Sequence, residues 1–185
     1  MKVLLVSPQT PATFWSFKHV LPFVAKRAVF PPLELITIAA LLPRSWELKL
    51  VDLNVSRLHD ADLRWAHFVM ISAMIVHKDS VYDVIARCRA MRRTVIGGGP
   101  LFTTGHEEFS ADVHCVLGEA EDLMGELIRD MDAGQLRRVY SAAARPDITR
   151  TPIPRWDLIQ LRDYVTMPVQ FSRGCPYDCE FCDIV

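Results

Sequence analysis

Three cysteines stand within eight residues in the stretch RGCPYDCEFCDIV: Cys175, Cys179 and Cys182. A thiolate is a soft, strong metal donor, and three of them on one compact loop satisfy three corners of a cubane iron–sulfur cluster. The fourth iron is then open to a substrate-like ligand. Structural zinc is the rival reading, but a closed zinc site needs a fourth ligand. No histidine or cysteine follows Cys182, and His106, His114 and Cys115 belong to an earlier part of the chain. The total of five cysteines is odd, and their crowding argues for metal or redox chemistry over a disulfide framework. Cys88, on an apolar helix face, and Cys115, in the middle of a strand, read as core thiols.

A second group of candidate residues sits at the ends of strands. Short, continuously apolar runs occur at 2–6, 46–53, 67–73, 93–97 and 113–117, as parallel strands covered on both faces require. Helical patterns lie between them at 32–43, 80–91 and 121–131, with a shorter piece near 105–110. In the second of these Val81, Val84, Ile85, Cys88 and Met91 share a face. Alternation of this kind predicts an α/β fold: a flavodoxin-like, doubly wound parallel sheet of five strands in the order 2-1-3-4-5. In such sheets ligands lie beyond the carboxyl ends of the strands. Those ends read Ser7-Pro8-Gln9-Thr10, Asp52-Leu53-Asn54, Ser72-Ala73-Met74, Gly97-Gly98-Gly99-Pro100 and Gly118-Glu119-Ala120-Glu121. Each alone reads as an ordinary turn, but five together outline a ligand crevice, with the three glycines allowing close approach to backbone. His77 follows the third strand and could reach it. Glu119 and Glu121 could contact a ribose or an amide, or simply open a helix.

The domain plan that follows is 1–134 for the sheet, 135–165 as a proline-punctuated connector, and 166–185 as the start of a second unit with MPVQFS (167–172) as its first strand. The connection 8–31 is long, and Phe14, Trp15 and Phe17 within it could cover a planar ligand or pack over the sheet edge. The chain is half hydrophobic, and its formal net charge of -1 gives no general attraction to nucleic acid. Arg87, Arg89, Arg92 and Arg93 read as a solvated helix face. No transmembrane span and no signal-peptide pattern is legible, so a cytoplasmic location is expected.

The order of strand-end residues resembles the cobalamin-binding domain of methyltransferases and mutases. Asp52, Ser72, Gly97 and Gly98 match that pattern, and Met74 stands where leucine is usual. Asn54 stands in place of the cobalt-coordinating histidine, and Arg57 replaces a later glycine. The resemblance therefore implies cobalamin without a protein histidine on its lower face, an amide being a poor cobalt ligand. Cys175, Cys179 and Cys182, with Phe181 before the last cysteine, resemble the CxxxCxxC signature of the radical S-adenosylmethionine (SAM) family. Residues 154–185 resemble the junction in the subgroup that joins the two units, and VLGEAED (116–122) resembles that subgroup's last sheet strand.

By resemblance, the three cysteines hold a [4Fe–4S] cluster, SAM chelates its open iron, and Phe181 packs near the adenine. Reductive cleavage of SAM then yields a radical that abstracts hydrogen from an unreactive carbon, and methylcobalamin delivers a methyl group. The resemblance also implies an amino-terminal fragment lacking most of the (β/α) barrel, inactive alone. Electron donor and small-molecule or lipid-like substrate would engage the missing part. Two other readings remain open: a non-catalytic corrinoid-binding or interaction module, and a methylthiotransferase-like enzyme. The second is disfavoured, since that group carries another cysteine triad in its first domain.

Overall fold

The computed structural model describes residues 1–141, 146–177 and 179–180, without the side chain of Trp15. Its centre is a wholly parallel sheet of β1 (Lys2–Ser7), β2 (Glu47–Asp52), β3 (Phe68–Ser72), β4 (Thr94–Gly98), β5 (Val113–Leu117) and β6 (Val139–Ser141). The spatial order is β2-β1-β3-β4-β5-β6. The flavodoxin-like arrangement is borne out, with one correction: the sheet has six strands where five were expected. The sixth falls inside the stretch expected as connector. Only three residues long, it carries no periodicity to read. It forms because Tyr140 is buried and its hydroxyl donates to Asp130 Oδ2 at 2.8 Å.

Helices α1 (Leu33–Leu41), α2 (Asp60–Trp65), α3 (Lys78–Ala90), α4 (Pro100–Phe109) and α5 (Met124–Ala133) cover the sheet. Two cores result, one on each face. Leu4, Val6, Val69 and Ile71 pack with Val81, Val84, Ile85 and Phe102 from α3 and α4. Val3, Leu5, Met70 and Ile96 pack with Leu35 and Ala39 of α1 and Leu127 and Met131 of α5. Side chains alternate across a strand, so both faces must be apolar and the strand sequences run hydrophobic without a break. The α2 helix had no sequence expectation. It is one short turn capped by Asp62, whose carboxylate accepts from the His59 backbone N–H at 2.9 Å and pairs with Lys49.

Residues 167–172, expected as a strand, form none. A strand needs a neighbour for its backbone groups, and among the described residues none lies beside it. Met167, Val169 and Phe171 accordingly face solvent. Before them the chain has crossed the whole sheet. From β6 on one edge it runs over α1, where the Arg155 N–H donates to the Ile36 carbonyl at 2.9 Å, and arrives at β2 on the other. There residues 162–166 lie along 26–29. Arg27 N–H donates to Asp163 O (2.8 Å), Val165 N–H to Ala28 O (3.1 Å), and Thr166 N–H to Val29 O (3.1 Å). Among the described residues no helix is long and apolar enough to cross a membrane.

Candidate functional site

The loops after β1, β2 and β3 are tied to one another by side chains. Asn54 is the hub: its Nδ2 donates to Pro8 O (3.1 Å) and to Asp52 Oδ1 (2.8 Å), and its Oδ1 accepts from Thr10 N–H (2.8 Å). Its own backbone N–H also donates to Asp52 Oδ1 at 2.9 Å. Both ends of the amide thus hold loops together. The next tie is His77, whose Nδ1 accepts from Met74 N–H at 3.2 Å. A neutral ring then carries its proton on Nε2, where it reaches the Thr10 hydroxyl at 3.3 Å. Burial pushes the His77 pKa down. A third tie runs from Gln9 N–H to the Ser80 hydroxyl at 2.9 Å.

Asp52 lies beneath this knot, almost fully buried. Its Oδ2 accepts from the Tyr164 hydroxyl at 3.0 Å, a contact between residues 112 apart in sequence. Burial pushes the Asp52 carboxyl up, against the hydrogen bonds from Asn54 and Tyr164 that favour its charged form. The phenol of Tyr164 is pushed up as well, by burial and then by the Asp52 charge, so it stays a proton donor. Beside them a cavity of about 360 Å³ opens between β2 and the 158–164 segment.

The glycines are used differently along the edge. A Cβ on Gly97 would stand 2.7 Å from the ring of Phe102, so this glycine is there to seat that ring. At Gly99, with φ of 87°, a Cβ would meet Ala73 O at 2.9 Å, because the β3 and β4 loops pass in contact. Gly118 has the free approach that a ligand would use, with nothing within 4 Å of a Cβ built on it, while a Cβ on Gly98 would lie 3.7 Å from Val116 O. Ser72 is half-buried at the β3 end, with its Oγ near Gly99. Around this edge Met74, Ile75 and Val76 after β3, and Phe14 and Phe17 in the long first loop, expose apolar surface. A flat, largely apolar group laid along the edge would cover them, with polar contacts from the loops. The residues present fit such a group.

At the β5 end, Glu119 and Glu121 do not point into an empty crevice. Arg173 pairs with both. Of the cysteine loop beyond it, Cys175 and Cys179 are exposed free thiols. Cys182 and Phe181, expected as the third ligand and the aromatic contact, lie outside the described residues. Among the described residues no group of three or more His, Cys, Asp or Glu could hold a metal. Cys88 and Cys115 are buried, and burial pushes both thiols up to about 11, as core thiols require. The arginines in and just after α3 have partners within the chain: Arg87 on Asp60 and Leu58 O, Arg89 on Asp112, and, beyond the helix, Arg93 on Ala66 O.

A family model described as "B12 binding domain" matches residues 24–128, more than half of the chain. The chain belongs to the B12-binding domain family. The resemblance of this B12-binding domain protein to the class that joins such a domain to a radical SAM unit also holds among its relatives. An uncharacterized methyltransferase of Synechocystis sp. is 43% identical over the whole chain, which covers 35% of that relative. The hopanoid C-2 methylase of Rhodopseudomonas palustris is 32% identical over 99% of the chain and 36% of its own length. The bacteriochlorophyllide d C-12(1)-methyltransferase of Chlorobaculum tepidum is 27% identical over 98% of the chain and 39% of its own length. The chain thus spans little more than a third of these relatives. No solved structure gives a significant match.

Sequence reasoning missed Tyr164 and Arg173. Tyr164 lies in the proline-punctuated connector and Arg173 just before the cysteine loop, and neither carries a local sign of its partner. The one usable hint was the pair Glu119 and Glu121, two acids at a sheet edge that call for a cation.

Proposed function

We propose that this protein works as part of a cobalamin-dependent radical SAM enzyme that methylates, or otherwise transforms, an unreactive carbon. The observation that carries the reading is a convergence: five strand ends and the loop bearing Cys175 and Cys179 meet on one edge of one sheet. The relatives named as methyltransferases support it. Cobalamin would lie on the loops of Asp52, Asn54, Ser72, Gly98 and Gly118, and the iron–sulfur cluster on Cys175, Cys179 and Cys182. When bound, the cluster with SAM supplies one-electron bond cleavage and the corrinoid supplies a transferable methyl group.

The chain's own residues have simpler tasks. Asn54 locks the β1 and β2 loops, and at this position it would offer a bound corrinoid no imidazole. Asp52 and Tyr164 exclude water from the floor and hold residues 162–166 over the β2 end. Met74, Ile75 and Val76 offer the apolar contact that a macrocycle rim needs. The substrate would be a small or lipid-like molecule, reached with an electron donor through parts outside this chain, and not a nucleic acid.

The test is anaerobic loading with iron and sulfide, scored by metal and sulfide analysis and absorbance, beside a titration with hydroxocobalamin. Iron with equimolar sulfide, lost on Cys179→Ala, and a saturable corrinoid spectrum support the proposal. Zinc without sulfide would overturn the cluster assignment. A corrinoid spectrum without iron uptake would instead favour a non-catalytic corrinoid-binding module.

A further inference from the structure

The side chain of Arg173 is only 16% exposed although the residues around it in sequence are open to solvent. Every nitrogen of its guanidinium has a partner. Nε donates to Gln170 Oε1 at 3.0 Å, Nη1 to Glu119, and Nη2 to Glu121 and to the Thr151 hydroxyl at 3.2 Å. Thr151 in turn donates to Glu121 Oε1 at 3.3 Å. The Glu121 side chain is 11% exposed. Burial raises its pKa, but its bonds to Arg173 outweigh this and hold its carboxyl below the usual carboxylate range. A planar fork between two carboxylates is a geometry that guanidinium fills and an ammonium does not.

The position of this clamp matters more than its strength. Glu119 and Glu121 follow β5, at the same edge as the crevice, and Arg173 lies two residues before Cys175. The preceding tether, Tyr164 on Asp52, is at the end of β2. From β2 to β5 is four strand spacings, about 19 Å across a sheet. The nine steps from Tyr164 to Arg173 have an extended reach of about 30 Å. The segment between the tethers is therefore long enough to cross the carboxyl edge with slack, pinned at both sides.

We propose that Arg173 is a positioning residue: gripped by Glu119 and Glu121, it docks the cysteine loop on the carboxyl edge of the sheet and so sets where a cluster on that loop stands relative to the crevice. Glu119, expected from the sequence as a cofactor contact, is on this reading a jaw of the clamp. The consequence for catalysis rests on the function proposed above, but the docking itself does not.

Docking can be read without any cofactor. The metal-free chain is treated briefly with chymotrypsin, and cleavage after Phe171, exposed but two residues from the clamp, is followed by mass spectrometry, because a protease needs several residues of freed chain around the bond it cuts. Arg173→Gln and Glu121→Gln both undo the clamp, and both should speed cleavage about 10-fold or more, the factor that 1.4 kcal/mol carries. A pure charge effect on protease binding gives opposite signs, since one variant removes a cation and the other an anion. Arg173→Lys should fall between, while unfolding of the sheet domain stays within about 0.5 kcal/mol of the parent, as for a residue outside the core. Opposite signs, or rates unchanged in both variants, overturn the proposal. In anaerobically iron- and sulfide-loaded protein the same variants should keep the metal content but lose it faster to a chelator. Failure of loading in the parent would sink the proposed function and leave the docking result standing.

Discussion

Removing one oxygen atom, by Tyr164→Phe, tests the tie between the returning segment and the sheet. Asp52 Oδ1 has two donors from Asn54, but Tyr164 is the donor to Oδ2. Both residues are 4% exposed, so the bared oxygen meets little water. A hydrogen bond to a charged group contributes about 1.5–3 kcal/mol, and a middle value of about 2 kcal/mol corresponds to a fall of about 4–8 °C in Tm for a chain of this size. Urea unfolding at pH 7 measures it. The same change made in an Asp52→Asn background should cost only about 1 kcal/mol, the value of a neutral bond. Acidity supplies a further check. Losing the phenol raises the folded-state pKa of Asp52 further, so the folded variant takes up its proton at higher pH than the folded parent. The penalty must therefore shrink as pH falls through that range. A cost below about 0.5 kcal/mol, or one indifferent to both Asp52→Asn and pH, would refute the assignment of Tyr164 to a charged buried partner.

Other expectations follow from the same edge. Gly97→Ala drives a methyl group into the Phe102 ring, and overpacking of that kind costs about 1–3 kcal/mol; pairing it with Phe102→Leu should recover part of the loss in urea unfolding. His77 has a folded-state pKa below its ordinary value of 6.5, so the unfolded chain binds the proton more readily. Stability should be fully present above that value and decline as pH falls below it, and His77→Gln should flatten this limb of a pH series followed by circular dichroism. Asn54→Ala cuts the ties between the β1 and β2 loops but, on the reading above, removes no cobalt ligand. Its hydroxocobalamin complex should keep the parent's visible bands while binding more weakly, and a shifted spectrum would show that Asn54 touches the metal.

Much of this protein is local and therefore legible in one dimension. The runs at 2–6, 67–73 and 113–117 are continuously apolar because both faces of their strands are covered, so fold class and strand order followed from pattern and from the handedness of crossovers. The spacing of Cys175, Cys179 and Cys182 is equally legible in one dimension, and what it would hold belongs to the function proposed above. Strand ends carry polar and small residues for chemical reasons that a reader can list.

What tertiary structure alone decided is which of those residues are spoken for. Gly97 accommodates Phe102, Asn54 gives its whole amide to neighbouring loops, and Glu119 and Glu121 hold Arg173. Strand β6 exists because Tyr140 finds a buried place and an acid partner, not because three residues favour a strand. The physical reason is common to all of these. Hydrogen bonds and close packing depend on separations of a few ångströms, and the partners here stand 54 residues apart for Arg173 with Glu119 and 112 for Tyr164 with Asp52. Periodicity reports which face of an element is buried; only the folded chain determines what meets it there.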